Sequence, residues 1–496
     1  MFKRVLIANR GEVANRIIST CLDLGIETVA IYSDDDRSLH YLNRADHAYR
    51  VGPGAVSSSY KNQDAVMAVA KMSQADCLHP GYGFLSEEAS FAKLCKNSKV
   101  EFIGGNETML KNLGNKLYVR SVAKKADIKT VTCGEKAFTE VAEAKKTADK
   151  FGYPVFVKPV CGMHARGVRR IDDEKNFEKG FLATQIEASV LLNDNTVLVE
   201  KALLDARHIE VPVLRDKVGR VLCLPELDCS IQRRYHKIIA ETPAPNLDDK
   251  LRKEIKASAT KLANELNVEG LASFEFLVKD GAAYFLEVNP RLTVEHSVTE
   301  LVTGLDLVKQ QFLIAAGKPL ELYGREFNSR GIAIQCRIYA EDPETYEPYM
   351  GVVNDVFIPM GPNVRHELIA HSGWHIPIHY DNMLAKMSIW DNERKTIINK
   401  MTHLLKDYFY SGIITNIPLQ RQIFETKQML EGTYNVDFMR DDFVFKKAEP
   451  PQNFKTALAI ASAIRVYKNE ESVRGELDLK GEPVGSWQKE IGTGRL

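Results

Sequence analysis

Residues 273–291 read Ser-Phe-Glu-Phe-Leu-Val-Lys-Asp-Gly-Ala-Ala-Tyr-Phe-Leu-Glu-Val-Asn-Pro-Arg. Two β-prone runs flank Asp280-Gly281, a dipeptide that favours a tight hairpin turn. Side chains alternate along a strand, so Glu287 and Asn289 share a face. If the loop holds an odd number of residues centred on Gly281, Glu275 lies directly opposite Glu287. Like charges directly opposed destabilise a sheet. A hard divalent cation removes that penalty, and carboxylate and amide oxygens are what Mg²⁺ accepts. The plain alternative is an exposed acidic hairpin. The run continues as Asn289-Pro-Arg-Leu-Thr-Val-Glu-His296, which packs an amide, a guanidinium, a carboxylate and an imidazole together. Charged residues rarely cluster beside a buried strand unless paired. The Arg291 fork suits a planar carboxylate or bicarbonate, and Glu295 beside it can act as a general base.

Upstream, residues 1–113 alternate strand and helix patterns. Val5 to Ala8, Thr28 to Tyr32, Asp76 to His79 and Glu101 to Ile103 read as strands. Val13, Ile17, Ile18 and Leu22 fall at helical spacing, with Gly25 as the stop, and Ala65 to Lys71 and Ala89 to Lys96 read as further helices. This alternation implies a doubly wound parallel sheet. The first turn, Ala8 to Asn15, holds one glycine where a dinucleotide fingerprint needs three, so NAD binding is not expected. Residues 114–203 interleave lysine-rich helices with the strand-like runs Tyr153 to Lys158 and Thr196 to Lys201. Residues 204–447 are dominated by short β runs. Residues 448–496 open as a Pro-containing linker, continue as a small-residue helix from Phe454 to Tyr467 and end in a polar stretch.

The 496 residues allow about three domains. Lys+Arg and Asp+Glu both number 66, and the net charge of +0 argues against nucleic acid as a partner. No apolar run approaches the ~20 residues of a membrane span. The N-terminus lacks the apolar core and cleavage site of a signal peptide. The eight cysteines form no Cys-x-x-Cys pair. They read as reduced thiols of a cytoplasmic protein, with neither a disulfide frame nor a zinc site.

Several segments together carry a resemblance. They are Ile7-Ala-Asn-Arg-Gly-Glu12, His79-Pro-Gly-Tyr-Gly-Phe-Leu-Ser-Glu87, Asp228-Cys-Ser-Ile-Gln-Arg-Arg234, the hairpin above, and Cys336-Arg-Ile-Tyr-Ala-Glu-Asp-Pro343. In this order, from the N-terminus to about residue 445, the chain resembles biotin carboxylases, the ATP-grasp component of biotin-dependent carboxylases. The resemblance implies an α/β and α+β architecture. It comprises an N-terminal parallel-sheet domain, a mobile ATP-grasp lid subdomain and a C-terminal mixed β-rich ATP-grasp domain. Residue by residue, Lys116 and Lys158 match phosphate-contacting lysines. Glu200, Lys201 and Leu203 match the adenine hinge, and His208 and Gln232 match nucleotide contacts. Glu275, Glu287 and Asn289 match the metal-side face. Lys237, Arg291, Val294 and Glu295 match the bicarbonate site, with Glu295 as base. Arg337 matches the arginine that stabilises a biotin enolate, and Tyr82 lies near the biotin end.

The implied cofactors and substrates are ATP, Mg²⁺ (or Mn²⁺), bicarbonate and biotin on a separate carrier protein. The implied partners are that biotin carrier protein and a carboxyltransferase that works on an acyl-CoA or a 2-oxo acid, in a homodimer or larger complex. Neither Met67 to Met72 nor Leu384 to Met387 has the Ala-Met-Lys-Met of a biotin-attachment site, so no carrier domain is expected here. Three segments depart from the family pattern. The lid loop Lys158 to Gly167 keeps only Gly162 and Gly167, Thr293 stands where the family has glutamine, and Tyr235-His236 replaces His-Gln before Lys237. These departures leave two rivals open. One is a structural or regulatory component without turnover, and the other is an ATP-grasp ligase with a non-biotin acceptor.

Overall fold

A computed structural model describes residues 1–162, 167–192, 194–325, 327–449 and 453–475. Met163 to Arg166 of the glycine-poor loop and the polar stretch from residue 476 lie outside the described residues. The chain forms two compact units, Met1–Val444 and Phe445–Leu496. In the second unit the described residues include the helix Phe454–Gly475, longer than the sequence pattern predicts.

The first strands are β1 (Arg4–Ile7), β2 (Glu27–Ser33), β3 (His47–Gly52), β4 (Cys77–His79) and β5 (Glu101–Phe102). They pair in parallel in the order β3-β2-β1-β4-β5, as the alternation predicts. Helix α1 (Gly11–Leu24) buries Val13, Ala14, Ile17, Ile18 and Cys21, one stripe at helical spacing. Gly25 closes it in the left-handed conformation, with φ 66°, where a side chain would be strained. Strand β3 escapes the sequence reading because it is an edge. His47, Ala48 and Arg50 are exposed, so no apolar alternation marks it. Strand order reverses at β1, which opens a crevice at the carboxyl ends of β1 and β4. There Asn9 Nδ2 donates to the carbonyls of Pro80 (2.6 Å) and Tyr82 (2.8 Å). Those bonds tie the two loops together and fix the Tyr82 backbone at the crevice.

A small antiparallel sheet follows, in the order β7-β6-β8, from β6 (Val155–Pro159), β7 (Arg169–Ile171) and β8 (Val197–Lys201). It has its own core of Phe138, Ala144, Phe177 and Phe181. The later strands are β9 (Arg207–Arg215), β10 (Val221–Cys223), β11 (Leu227–Asp228), β12 (Gln232–Arg233), β13 (His236–Lys237), β14 (Ile239–Thr242) and β15 (Gly270–Lys279). They continue as β16 (Ala282–Asn289), β17 (Ile332–Tyr339), β18 (Val356–Phe357), β19 (Val364–Leu368), β20 (Met383–Asp391) and β21 (Phe409–Tyr410). Nine of these form one sheet, β16-β15-β9-β11-β14-β17-β20-β19, with β10 beside β9 and antiparallel pairing throughout. Ile209, Val211, Phe274 and Phe276 on one face pack with Leu251, Ile255, Ala259 and Leu262 of the helix Asp249–Glu265.

The β15–β16 hairpin needs a correction. Asp280 and Gly281, with φ 49° and 70°, make a two-residue turn, and Lys279 pairs with Ala282. The loop is therefore even, and an unbroken ladder would set Glu275 opposite Leu286. A β-bulge between Glu275 and Phe276 shifts the register. Leu286 becomes the extra residue, and Glu275 faces Glu287 after all.

Candidate active site

Three carboxylates line up across three neighbouring strands. Glu275 on β15 pairs with Glu287 of β16 on one side and with Glu210 of β9 on the other. Such a row is unfavourable unless cations stand in it. Lys237, from the short β12–β13 hairpin, places Nζ 2.6 Å from both Glu210 Oε2 and Glu275 Oε1. His208 Nε2 lies 2.8 Å from Glu275 Oε2, and Gln232 Nε2 lies 2.7 Å from His208 Nδ1. Gln232 can only donate through that nitrogen, so His208 Nδ1 accepts and Nε2–H donates to Glu275. Asn289 Nδ2 donates to Glu275 Oε1 at 2.9 Å. Burial opposes ionisation of Glu275, but Lys237 and His208 outweigh it and hold its pKa below the usual carboxylate range.

This corrects the electrostatic ground for the metal. The repulsion on Glu275 is relieved by Lys237 and His208, without a divalent ion. The half-buried Glu287 differs, because its carboxylate accepts no hydrogen bond among the described residues. Lone oxygens beside the buried row suit a hard cation. Glu210, Cys229 and Glu295 also bring possible ligand atoms within 4.8 Å of one another. Lys237 already neutralises Glu210, which disfavours that second arrangement.

Lys158 Nζ pairs with Glu200 Oε1 at 2.6 Å, and Arg120 pairs with the other Glu200 oxygen. Lys201 Nζ donates to the Gly152 carbonyl at 2.8 Å. The Glu200 and Lys201 side chains are thus spent internally, and a ligand at this hinge meets backbone, with half-buried Leu203 two residues further on. Lys116 donates to the Gly162 carbonyl. Its pKa is lowered, first by burial and then by Lys158 and Arg120, while Glu287 acts in the opposite sense.

The run 291–296 lies over the large sheet. Glu295 pairs with Arg337 of β17, and both are buried. Burial works against the Glu295 charge, yet Arg337 and Lys237 prevail and lower its pKa to about 2. Arg291 pairs with Glu87 and also donates to the Leu292 carbonyl (3.1 Å) and Asn289 Oδ1 (3.3 Å). The ion pair between Arg291 and Glu295 that their spacing allows is therefore replaced by two separate pairs. The Val294 carbonyl accepts from Lys386 Nζ at 3.0 Å. Thr293 is buried, and its carbonyl accepts from His296 Nδ1 at 2.8 Å. Tyr82 donates its hydroxyl to Glu12 of α1. The fold thus gathers Glu275, His208, Gln232, Lys237 and Asn289 into one hydrogen-bonded chain.

The profile of the biotin carboxylase N-terminal domain matches residues 1–110. That of the carbamoyl-phosphate synthase L chain ATP-binding domain matches 115–323, and that of the biotin carboxylase C-terminal domain matches 335–441. Biotin carboxylase of Haemophilus influenzae is 39% identical over 440 residues, covering 88% of this chain and 98% of the relative. The chain belongs to the biotin carboxylase family. The biotin carboxylase domain dimer of Hydrogenobacter thermophilus 2-oxoglutarate carboxylase was solved with MgADP, ADP and bicarbonate. It superposes with a TM-score of 0.87 at 35% identity, covering 90% of this chain and 100% of that one. A solved biotin carboxylase component of pyruvate carboxylase is 36% identical with a TM-score of 0.75, covering 90% of this chain and 100% of that one. The expected ATP-grasp architecture of a biotin carboxylase stands.

Within this biotin carboxylase fold, sequence reasoning missed Arg120, Glu210, Glu87 and Lys386. Glu210 had a usable signal, since it follows His208 by two positions on a β run and must share its face. Glu87 stands in one of the motifs above and Lys386 in the run Leu384 to Met387, but their partners come from distant segments, and nothing local marks Arg120.

Proposed function

We propose that the chain is an ATP-dependent carbon–nitrogen ligase that carboxylates biotin with bicarbonate. The supporting observation is the buried carboxylate Glu295 among Arg337, Lys237 and Arg291, beside the Glu275–His208–Gln232 chain. Lys116 and Lys158 would neutralise phosphate charge, the 200–203 hinge would meet adenine, and His208 and Gln232 would face the nucleotide. Glu287, with Glu275 and Asn289 behind it, would hold Mg²⁺. When bound, that ion supplies charge neutralisation to the transferring phosphoryl group. Arg291 and Lys237, with Val294, would orient bicarbonate, and Glu295 would take its proton as the bicarbonate oxygen attacks the γ-phosphorus and ADP leaves. Carboxyphosphate then breaks down to CO₂ and phosphate. The phosphate takes the ureido N1 proton of biotin, and the resulting nitrogen attacks CO₂. Arg337 would stand where negative charge develops on the ureido oxygen, near Tyr82.

Biotin would arrive on a separate carrier protein, and the product would pass to a carboxyltransferase, in a homodimer or larger complex. The dimeric Hydrogenobacter relative supports self-association, and the relative that is one component of a pyruvate carboxylase supports a larger assembly. No described helix is long and apolar enough to cross a membrane. Bicarbonate-dependent ATP hydrolysis, with and without free biotin, tests the reading. Glu295→Gln keeps size and hydrogen bonding but removes the base. It should lower turnover ~10²–10⁴-fold with little change in ATP binding. Normal turnover per folded molecule would remove Glu295 from the mechanism.

A further inference from the structure

Lys386 is fully buried, an unusual place for an ammonium group. It sits on β20 directly opposite Arg337 of β17 on one side and Glu367 of β19 on the other. Two cations side by side need anions close by. Arg337 has Glu295. Lys386 has Glu367 Oε2 at 2.8 Å and Glu12 Oε1 at 3.1 Å, the latter from α1. Its remaining contact is with a peptide group, the Val294 carbonyl at 3.0 Å. Gln335, two residues before Arg337 on the same face, also donates to that carbonyl, at 3.5 Å. Adjacent cations of one sheet face therefore grip consecutive residues of one loop, Arg337 by the Glu295 side chain and Lys386 by the Val294 backbone.

Stability alone accounts poorly for this arrangement, because buried ion clusters are often no more stable than apolar packing of the same volume. A donor fixed on the peptide before a general base does have a kinetic use, since displacement of a reacting group by about 1 Å can cost ~10²-fold in rate. We propose that Lys386 is a positioning residue for the reaction, holding the Val294–Glu295 peptide so that the Glu295 carboxylate points at the bicarbonate proton. This rests on the reading of Glu295 as the base.

The test is a double-mutant cycle on biotin-independent, bicarbonate-dependent ATP hydrolysis, per folded molecule. Lys386→Met is measured alone and with Glu12→Gln, because the second change removes a carboxylate that the first strands. Turnover should fall about tenfold to a hundredfold in both, with the KM for ATP unchanged. In a Glu295→Gln background Lys386→Met should cost almost nothing further, since there is no base left to position. Two outcomes overturn the proposal on its own. One is lowered thermal stability with normal turnover. The other is the same fold-loss with and without Glu295. If Glu295→Gln itself turns over like the wild type, the base assignment falls first and this role falls with it.

Discussion

Glu295 shows how a single residue can be both ready and restrained. Its carboxyl is lowered to about 2, so it is ionised at neutral pH and able to accept a proton. The same Arg337 that keeps it ionised also makes it a weak base while they are paired. If Arg337 turns toward a developing negative charge elsewhere, the carboxylate becomes more basic. The pair also predicts a pH dependence of stability. The unfolded glutamate titrates near 4.3, above the folded value. The stabilisation is therefore present above about pH 4.3 and is lost as pH falls toward about 2. At neutral pH, Glu295→Gln should be less stable than the wild type, by roughly the 3–5 kcal/mol that breaking a buried pair costs. That gap should narrow across the acidic window. Denaturant midpoints measured from pH 7 to the acid limit check this, and parallel curves for the two proteins would rule it out.

At the scale of elements, the β15–β16 hairpin carries its own test. Gly281 has a positive φ of 70° and nothing within 4 Å of where a Cβ would stand. Gly281→Ala should therefore cost roughly 1–2 kcal/mol from backbone strain alone. Turnover per folded molecule should stay normal, because the substitution touches no neighbour. An unchanged denaturant midpoint would show that the turn relaxes without cost. The same hairpin shows what a sequence can and cannot disclose. The Asp-Gly pair and the flanking alternation are local and legible. The bulge at Leu286 is not, because no local residue pattern marks where the β15–β16 ladder takes its extra residue. Helix α1, with its buried stripe and Gly25 stop, was readable for the same local reason. The exposed edge strand β3 was not. At the site, residue types in short motifs point to Glu275 and Glu295, and only the family resemblance points to Lys237. That Lys237 is the counter-ion of Glu275 and Glu210, and that Arg291 pairs with Glu87, depends on segments meeting only in the folded chain.

At the scale of the first compact unit, polar struts join its parts. Arg16 of α1 bonds Glu300 and Asp306 at 2.7 and 2.8 Å, Glu12 reaches Lys386, and Asn9 binds the loop after β4. Arg170 of the small sheet bonds Asp437 at 2.9 Å, and Phe156 meets the ring of Tyr235 with centroids 5.4 Å apart. The parallel-sheet part is thereby fastened to the large sheet through Glu12 and Lys386, and the small sheet to the turn of the β12–β13 hairpin and to the segment at Asp437. The chain Gln232–His208–Glu275–Lys237 then has a thermodynamic consequence. Its first two members face the proposed nucleotide and its last faces the proposed anion, so whatever orders one end is felt at the other. We expect occupancy of the two proposed ligand positions to be linked through this chain, and linkage is reciprocal: any factor by which nucleotide changes bicarbonate affinity equals the factor by which bicarbonate changes nucleotide affinity. Calorimetric titration of each ligand with the other absent and then saturating would give that factor twice. His208→Ala, which cuts the chain in the middle, should bring both values toward one; a factor that survives the cut would mean the two pockets communicate by another route.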